Sequence, residues 1–167
     1  MDVRLARPDD LRHLPRIERS AAAAFRGSSQ DAIADDEVSP ARVYVPLQAQ
    51  GLVWVADDAT GRIGFAACEA FDDALHLWEL AVRRARQGQG VGRALVRAVI
   101  DAARARGCAA VTLTTFREIA WNGPFYARLG FRELAVHELD GRLAEVLSRE
   151  AEKGLDVATR CAMRLAI

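Results

Sequence analysis

The stretch Gln87-Gly88-Gln89-Gly90-Val91-Gly92-Arg93 packs three glycines and several polar side chains into one bend. An apolar strand-like run, ALHLWELAV, leads into it, and VGRALVRAVIDAARARG, with helical periodicity, leads out. A glycine-rich turn between a strand and a helix binds anions, because successive backbone N–H groups and the helix start converge on one place. A plain tight turn accounts for one glycine and hardly for three. A P-loop needs a lysine and a hydroxyl after its last glycine, and neither is present. The dinucleotide fingerprint G-x-G-x-x-G fails at its final position, which is Arg93, and no acid ends the next strand. A second stretch with chemical potential is WNGPFYARLGF, residues 121–131, where Asn122 and Tyr126 flank a short turn. The histidines His13, His76 and His137 are scattered, and Cys68, Cys108 and Cys161 form no C-x-x-C pair. No metal-ligand spacing exists, so no metal is expected, and the odd cysteine count fits a reducing cytoplasm.

The elements that must carry these residues follow from periodicity and breakers. VRLA is a short first strand, and a helical pattern runs to Phe25, with Pro15 expected to break or kink it. GSSQDAIADDEVSP is loop-like, and SPAR starts a short helix with Ser39 as cap. Three β-rich runs between Gly51 and Val82, separated by DDATG and DDA, read as an antiparallel meander. A helix covers about residues 91–106 and stops at Gly107. CAAVTLTT reads as a strand, NGPFYARLG as a short helix, FRELAVHEL as a strand, GRLAEVLSREAEKG as a helix and DVATRCAMRLAI as a closing strand. The fold class is mixed α/β in one domain, residues 1–167, around one sheet of about seven strands.

Gln87-Gly88-Gln89-Gly90-Val91-Gly92 matches Q/R-x-x-G-x-G/A, and Asn122 followed by Phe125-Tyr126-Ala127-Arg128-Leu129-Gly130-Phe131 is similar to an asparagine followed by fYeklGF. In this order, one helix and one strand apart, they resemble the two signatures of the Gcn5-related N-acetyltransferase (GNAT) superfamily. The resemblance extends over nearly the whole chain. It departs in setting Asn122 only four residues before Tyr126 and in adding a helix at about 141–152. It implies a mostly antiparallel mixed sheet splayed between its fourth and fifth strands, and transfer of an acetyl group from acetyl-CoA to a primary amine.

The implied cofactor-binding set is Leu80, Ala81 and Val82 for the pantetheine arm, then Gln87, Gly88, Gln89, Gly90, Val91, Gly92 and Arg93 for the pyrophosphate, with Asn122, Phe125 and Tyr126. The Leu80 N–H is the implied oxyanion donor. Tyr126 is the implied general acid for the leaving thiolate, a phenol with pKa about 10. The acceptor must lose a proton before it attacks. Strand alternation puts His76, Trp78, Leu80 and Val82 on one face and Leu77, Glu79 and Ala81 on the other. His76 is the first candidate base, and Glu79 the second if a bulge re-aims it. Trp54, Trp121, Phe116, Leu129 and Phe131 read as packing residues.

Composition narrows the class further. The 167 residues carry 23 basic and 23 acidic side chains, which gives no support to non-specific nucleic-acid binding. No apolar run approaches the roughly 20 residues that span a bilayer. A cytoplasmic enzyme is expected, with neither nucleic acid nor membrane as partner. A homodimer paired through the apolar last strand is a further expectation. The acceptor stays open among small amines, antibiotics, amino acids and protein N-termini or lysines. The acidic run Asp35-Asp36-Glu37 reads first as a solvated loop and, if it faces the acceptor, would favour a cationic one. The alternative to an enzyme is a non-catalytic acyl-CoA sensor.

Overall fold

The computed structural model describes all residues, 1–167. Strands form at Asp2–Leu5 (β1), Val53–Asp58 (β2), Gly61–Phe71 (β3), Ala74–Val82 (β4), Ala110–Phe116 (β5), Arg132–Glu133 (β6) and Arg160–Ala166 (β7). Helices form at Leu14–Ala22 (α1), Val45–Ala49 (α2), Val91–Ala105 (α3), Gly123–Ala127 (α4) and Gly141–Glu152 (α5). The strands make one seven-stranded mixed sheet in the order β1-β2-β3-β4-β5-β7-β6. β4 and β5 pair in parallel, from Ala74↔Ala110 to Leu77↔Leu113. β1–β2, β2–β3, β5–β7 and β6–β7 are antiparallel. No helix is long and apolar enough to cross a membrane.

The chain groups into two compact units, residues 1–69 with 78–102 and residues 70–77 with 103–167. In the first unit, Val53 and Val55 of β2, Phe65 of β3 and Ala81 of β4 share one core with Leu14 and Ile17 of α1 and with Tyr44. The two-residue period of a strand sends the intervening residues to the opposite face. Gly64 lies there, and a Cβ on it would meet the Ala81 carbonyl at 3.0 Å, Val91 at 3.1 Å and Leu95 at 3.2 Å. Glycine at 64 therefore lets α3 close onto the sheet. The helix buries Val91, Leu95, Val96 and Val99, which recur along one stripe as the periodicity predicts.

A buried ionic clamp fastens the first strands. Asp10 is fully enclosed and accepts from Arg4 Nη1 at 2.7 Å, Arg62 Nε at 2.8 Å and the Arg7 backbone N–H at 2.8 Å. These donors hold its carboxyl well below the usual range against the opposing effect of burial. In the second unit, Leu134, Leu143 and Ala162 form a small core. Asp140 caps α5 by accepting from the Leu143 N–H at 2.7 Å.

Several expected elements contract or shift. Pro15 does not kink a helix. It sits in the first turn of α1, after a separate 3-10 turn at Pro8–His13. Ser39 is not a cap: Pro40 precedes the turn Ala41–Tyr44, and the Ser39 N–H donates to Glu18. The strand expected over 131–139 shrinks to Arg132–Glu133, because the chain turns at Val136–Glu138, where the Glu138 carboxylate accepts from the Ala135 N–H at 2.9 Å. The last strand is not a free edge. β7 lies between β5 and β6, which removes the basis for a dimer paired through it.

Candidate active site

The glycine loop forms part of the first unit. Gly88 and Gly90 have φ of 75° and 85°, left-handed values that side chains disfavour, and a Cβ on either would meet no atom within 4 Å. The two glycines thus satisfy the backbone and leave open space beside it. Gly90 O accepts from the Ala94 N–H at 3.0 Å, which starts α3. Gln87 donates its side-chain amide to the Val82 carbonyl at 3.0 Å. Gln89 donates to the Ala85 carbonyl at 3.0 Å. Both amides brace the loop, and the first ties it to the end of β4. Val91 is buried, Gly92 is half-buried and Arg93 is exposed.

On β4, Ala81 is buried, while Leu80 and Val82 are half-buried. Glu79 shares the Ala81 face by alternation, the side on which α1 and Tyr44 pack. Burial pushes the Glu79 carboxyl up to about 8, the Glu18 charge adds to the shift, and the Leu80 N–H opposes it. Glu18 accepts from the Ser39 N–H at 3.0 Å and from the Tyr44 hydroxyl at 3.0 Å. Burial, then the Glu79 and Glu18 charges, push the Tyr44 phenol far above its ordinary range. Glu18 and Tyr44 escaped the sequence reading. Both lie far from Glu79 along the chain, and no local pattern marks them.

His76, the first candidate base, is enclosed in the second unit with 0% exposure. Its Nδ1 lies 3.0 Å from Thr112 Oγ1, and the Phe71 ring stands edge-on to it at 6.4 Å. Arg142 donates to the same Thr112 hydroxyl at 3.2 Å and stacks 4.1 Å above the Phe71 ring. Burial, with the Arg142 charge second, pushes the imidazole down to about 3. The buried ring links β4 to β5 through Thr112.

The second signature builds α4. Gly123 is required by close approach: a Cβ there would stand 2.4 Å from the Arg117 carbonyl oxygen. Asn122 accepts from the Thr115 hydroxyl at 2.8 Å through its Oδ1, and its backbone carbonyl accepts from the Tyr126 N–H at 3.0 Å. Thr115, on β5, is a partner the sequence did not single out. Tyr126 is 8% exposed, with the Phe125 ring at 5.0 Å and the Phe131 ring at 5.6 Å, both edge-on. Phe125 is half-buried. The Tyr126 ring is thus largely buried and packed edge-on against two aromatic rings.

Comparison with known proteins bears on this arrangement. The family model for the acetyltransferase (GNAT) domain matches residues 49–133, from the start of the meander through the second signature. Glucosamine 6-phosphate N-acetyltransferase 1 of Oryza sativa subsp. japonica is 34% identical over 99 residues, covering 54% of this chain and 58% of that protein. N-acetyltransferase 8F1 of Rattus norvegicus is 32% identical over 93 residues, covering 52% of this chain and 42% of that protein. The match therefore spans about half the length of these relatives. Among solved structures, Rv2747 of Mycobacterium tuberculosis, crystallised with CoA, aligns over 100% of this chain and 99% of its own, with TM-score 0.69 and 20% identity. The PaiA N-acetyltransferase of Thermoplasma acidophilum, crystallised with coenzyme A, aligns over 99% and 98%, with TM-score 0.73 and 14% identity. At such identities the structures speak for the fold alone. With the family model matching more than half of its length, the chain belongs to the acetyltransferase (GNAT) family.

Proposed function

We propose that the protein is a cytoplasmic N-acetyltransferase that moves an acetyl group from acetyl-CoA directly to a primary amine. The observation that carries this is the Gln87–Gly92 loop, with two left-handed glycines facing open space at the start of a 15-residue helix. Such a loop fits a pyrophosphate held by backbone N–H groups, here those of Gly88 to Arg93. The β4–β5 ladder ends at Leu77↔Leu113, which supports a pantetheine arm lying along Leu80, Ala81 and Val82. We assign the Leu80 N–H, which acts on the Glu79 carboxylate when no acetyl-CoA is bound, as the donor to the thioester carbonyl once it is. Bound acetyl-CoA supplies an activated acyl carbon, whose bond to nitrogen forms as its bond to sulfur breaks. The amine must shed a proton and the departing thiolate must gain one. Tyr126 is our donor to the thiolate. Glu79 replaces His76 as our acceptor of the amine proton, because it is half-buried with a carboxyl pushed up to about 8, near a working pH.

The test is thermal stability with CoA, followed by thiol release from acetyl-CoA with a panel of amines. The panel holds glucosamine 6-phosphate, alkylamines, amino acids and peptides with free N-termini. We expect CoA to raise the melting temperature and at least one amine to release thiol. Binding without turnover would favour an acyl-CoA sensor, and no stabilisation by CoA would overturn both readings.

A further inference from the structure

We propose that Glu18 is a positioning residue for this site, a carboxylate anchored by Ser39 and Tyr44 that acts through Glu79 to hold the proton taken from an acceptor ammonium. The chemistry rests on the acetyltransferase reading, whereas the anchoring does not. Both Glu18 oxygens are used: Oε1 accepts from the Ser39 N–H and Oε2 from the Tyr44 hydroxyl, each at 3.0 Å. Burial pushes the Glu18 carboxyl up, and the two donors fix the side chain and oppose that shift. The Tyr44 donor is itself buried, 3% exposed, with its ring edge-on to Phe65 at 5.3 Å. Ile17, the residue before Glu18, lies in the same core as Tyr44 and Ala81. Glu79 shares the Ala81 face of β4.

The groups that act on this pair come from three segments. α1 supplies Glu18 and Arg19, whose charge acts on Glu18. The turn before α2 supplies Tyr44, and β4 supplies the Leu80 N–H. The β2 and β3 residues of the same core, Val53, Val55, Phe65 and Ala67, carry no charge. Burial first, and the Glu18 charge second, make Glu79 bind a proton more readily than an exposed, lone glutamate. An alkylammonium passes one proton to the Glu79 carboxylate, which becomes a neutral acid, and the nitrogen lone pair is freed. The Glu18 charge stabilises that neutral acid. Glu18 thereby lowers the cost of deprotonating a group whose own pKa is about 10.

The experiment is a carboxyl 13C NMR titration of glutamate-labelled protein in the absence of acceptor and CoA. In the wild type we expect one glutamate to titrate at about 8, and its resonance to be missing in Glu79→Gln. Glu18→Gln keeps the side-chain size and removes the charge. It should move that titration down by about one pH unit, the size of a like-charge interaction at a half-buried site. Tyr44→Phe keeps the ring and deletes one anchor, so it should move the titration in the same direction by less. Should Glu18→Gln fail to fold, Tyr44→Phe carries the comparison. Once an acceptor amine is in hand, the acid limb of kcat/KM should shift in parallel. An unchanged Glu79 titration in the folded variants overturns the proposal. That failure is separable from failure of the acetyltransferase reading, which shows as absent stabilisation by CoA and absent thiol release.

Discussion

Replacing Gly90 by alanine separates the folding role of the glycine loop from its binding role. Its φ of 85° is left-handed, and the added methyl meets no atom within 4 Å, so the folded state suffers backbone strain without a clash. That strain is roughly 1–2 kcal/mol. In a chain of this size each kcal/mol lowers the melting temperature by about 2–4 °C, so a fall of roughly 2–8 °C is expected. Binding should suffer more. Hydrogen bonds to a charged group are worth about 1.5–3 kcal/mol, and the loss of one weakens CoA affinity about tenfold or more. Gly107→Ala is the matched control, because Gly107 has φ of 72°, also has open space around its Cβ position, and stops the other end of α3. Melting curves and calorimetric CoA titrations on both variants decide the matter. Similar losses of stability with CoA binding impaired only in Gly90→Ala are expected. Equal CoA affinity in the two variants would refute the assignment of this loop to the pyrophosphate.

Tyr126→Phe keeps the ring between Phe125 and Phe131 and deletes the proton donor, so turnover should fall roughly 10- to 10⁴-fold with CoA affinity nearly intact. Full activity at every pH would remove the phenol from the reaction. His76 has a folded pKa of about 3 against about 6.5 when unfolded, so its contribution to stability is full above 6.5 and lost as pH falls towards 3. His76→Gln should flatten the acid side of the stability profile and leave the shape of the activity profile unchanged; an altered activity limb would return the base role to this residue. Asp10→Asn leaves Arg4 and Arg62 facing a neutral group, which should cost about 3–5 kcal/mol and roughly 6–20 °C of melting temperature. Because the Asp10 carboxyl is held below its ordinary range, the wild-type contribution is present above about pH 4 and lost below it, and the variant should lack this acid sensitivity.

Local order was legible in the chain. The glycine loop, the α3 stripe and the β2–β4 meander all follow from period, turn residues and breakers within a few positions. Each depends on neighbours in sequence, and the structure has all of them. Elements governed by distant partners were misread. FRELAVHEL has strand-forming residues, yet its ladder extends only over Arg132–Glu133, opposite Arg164 and Met163 of β7. The tyrosine signature was readable, but the need for Gly123 comes from the Arg117 carbonyl that the folded chain brings against it.

The sequence by itself determined the family signatures, the glycine-rich turn between β4 and α3 and the presence of Tyr126, since each is a matter of residue type at fixed short spacing. Only the tertiary structure set the surroundings of the two titratable residues on β4, His76 and Glu79. His76 is enclosed beside Thr112 and Arg142 and pushed down to about 3, while Glu79, three positions on, is pushed up to about 8 by burial and then by the Glu18 charge. The reason is physical: proton affinity is set by burial and by nearby charge, and both come from segments remote in the chain.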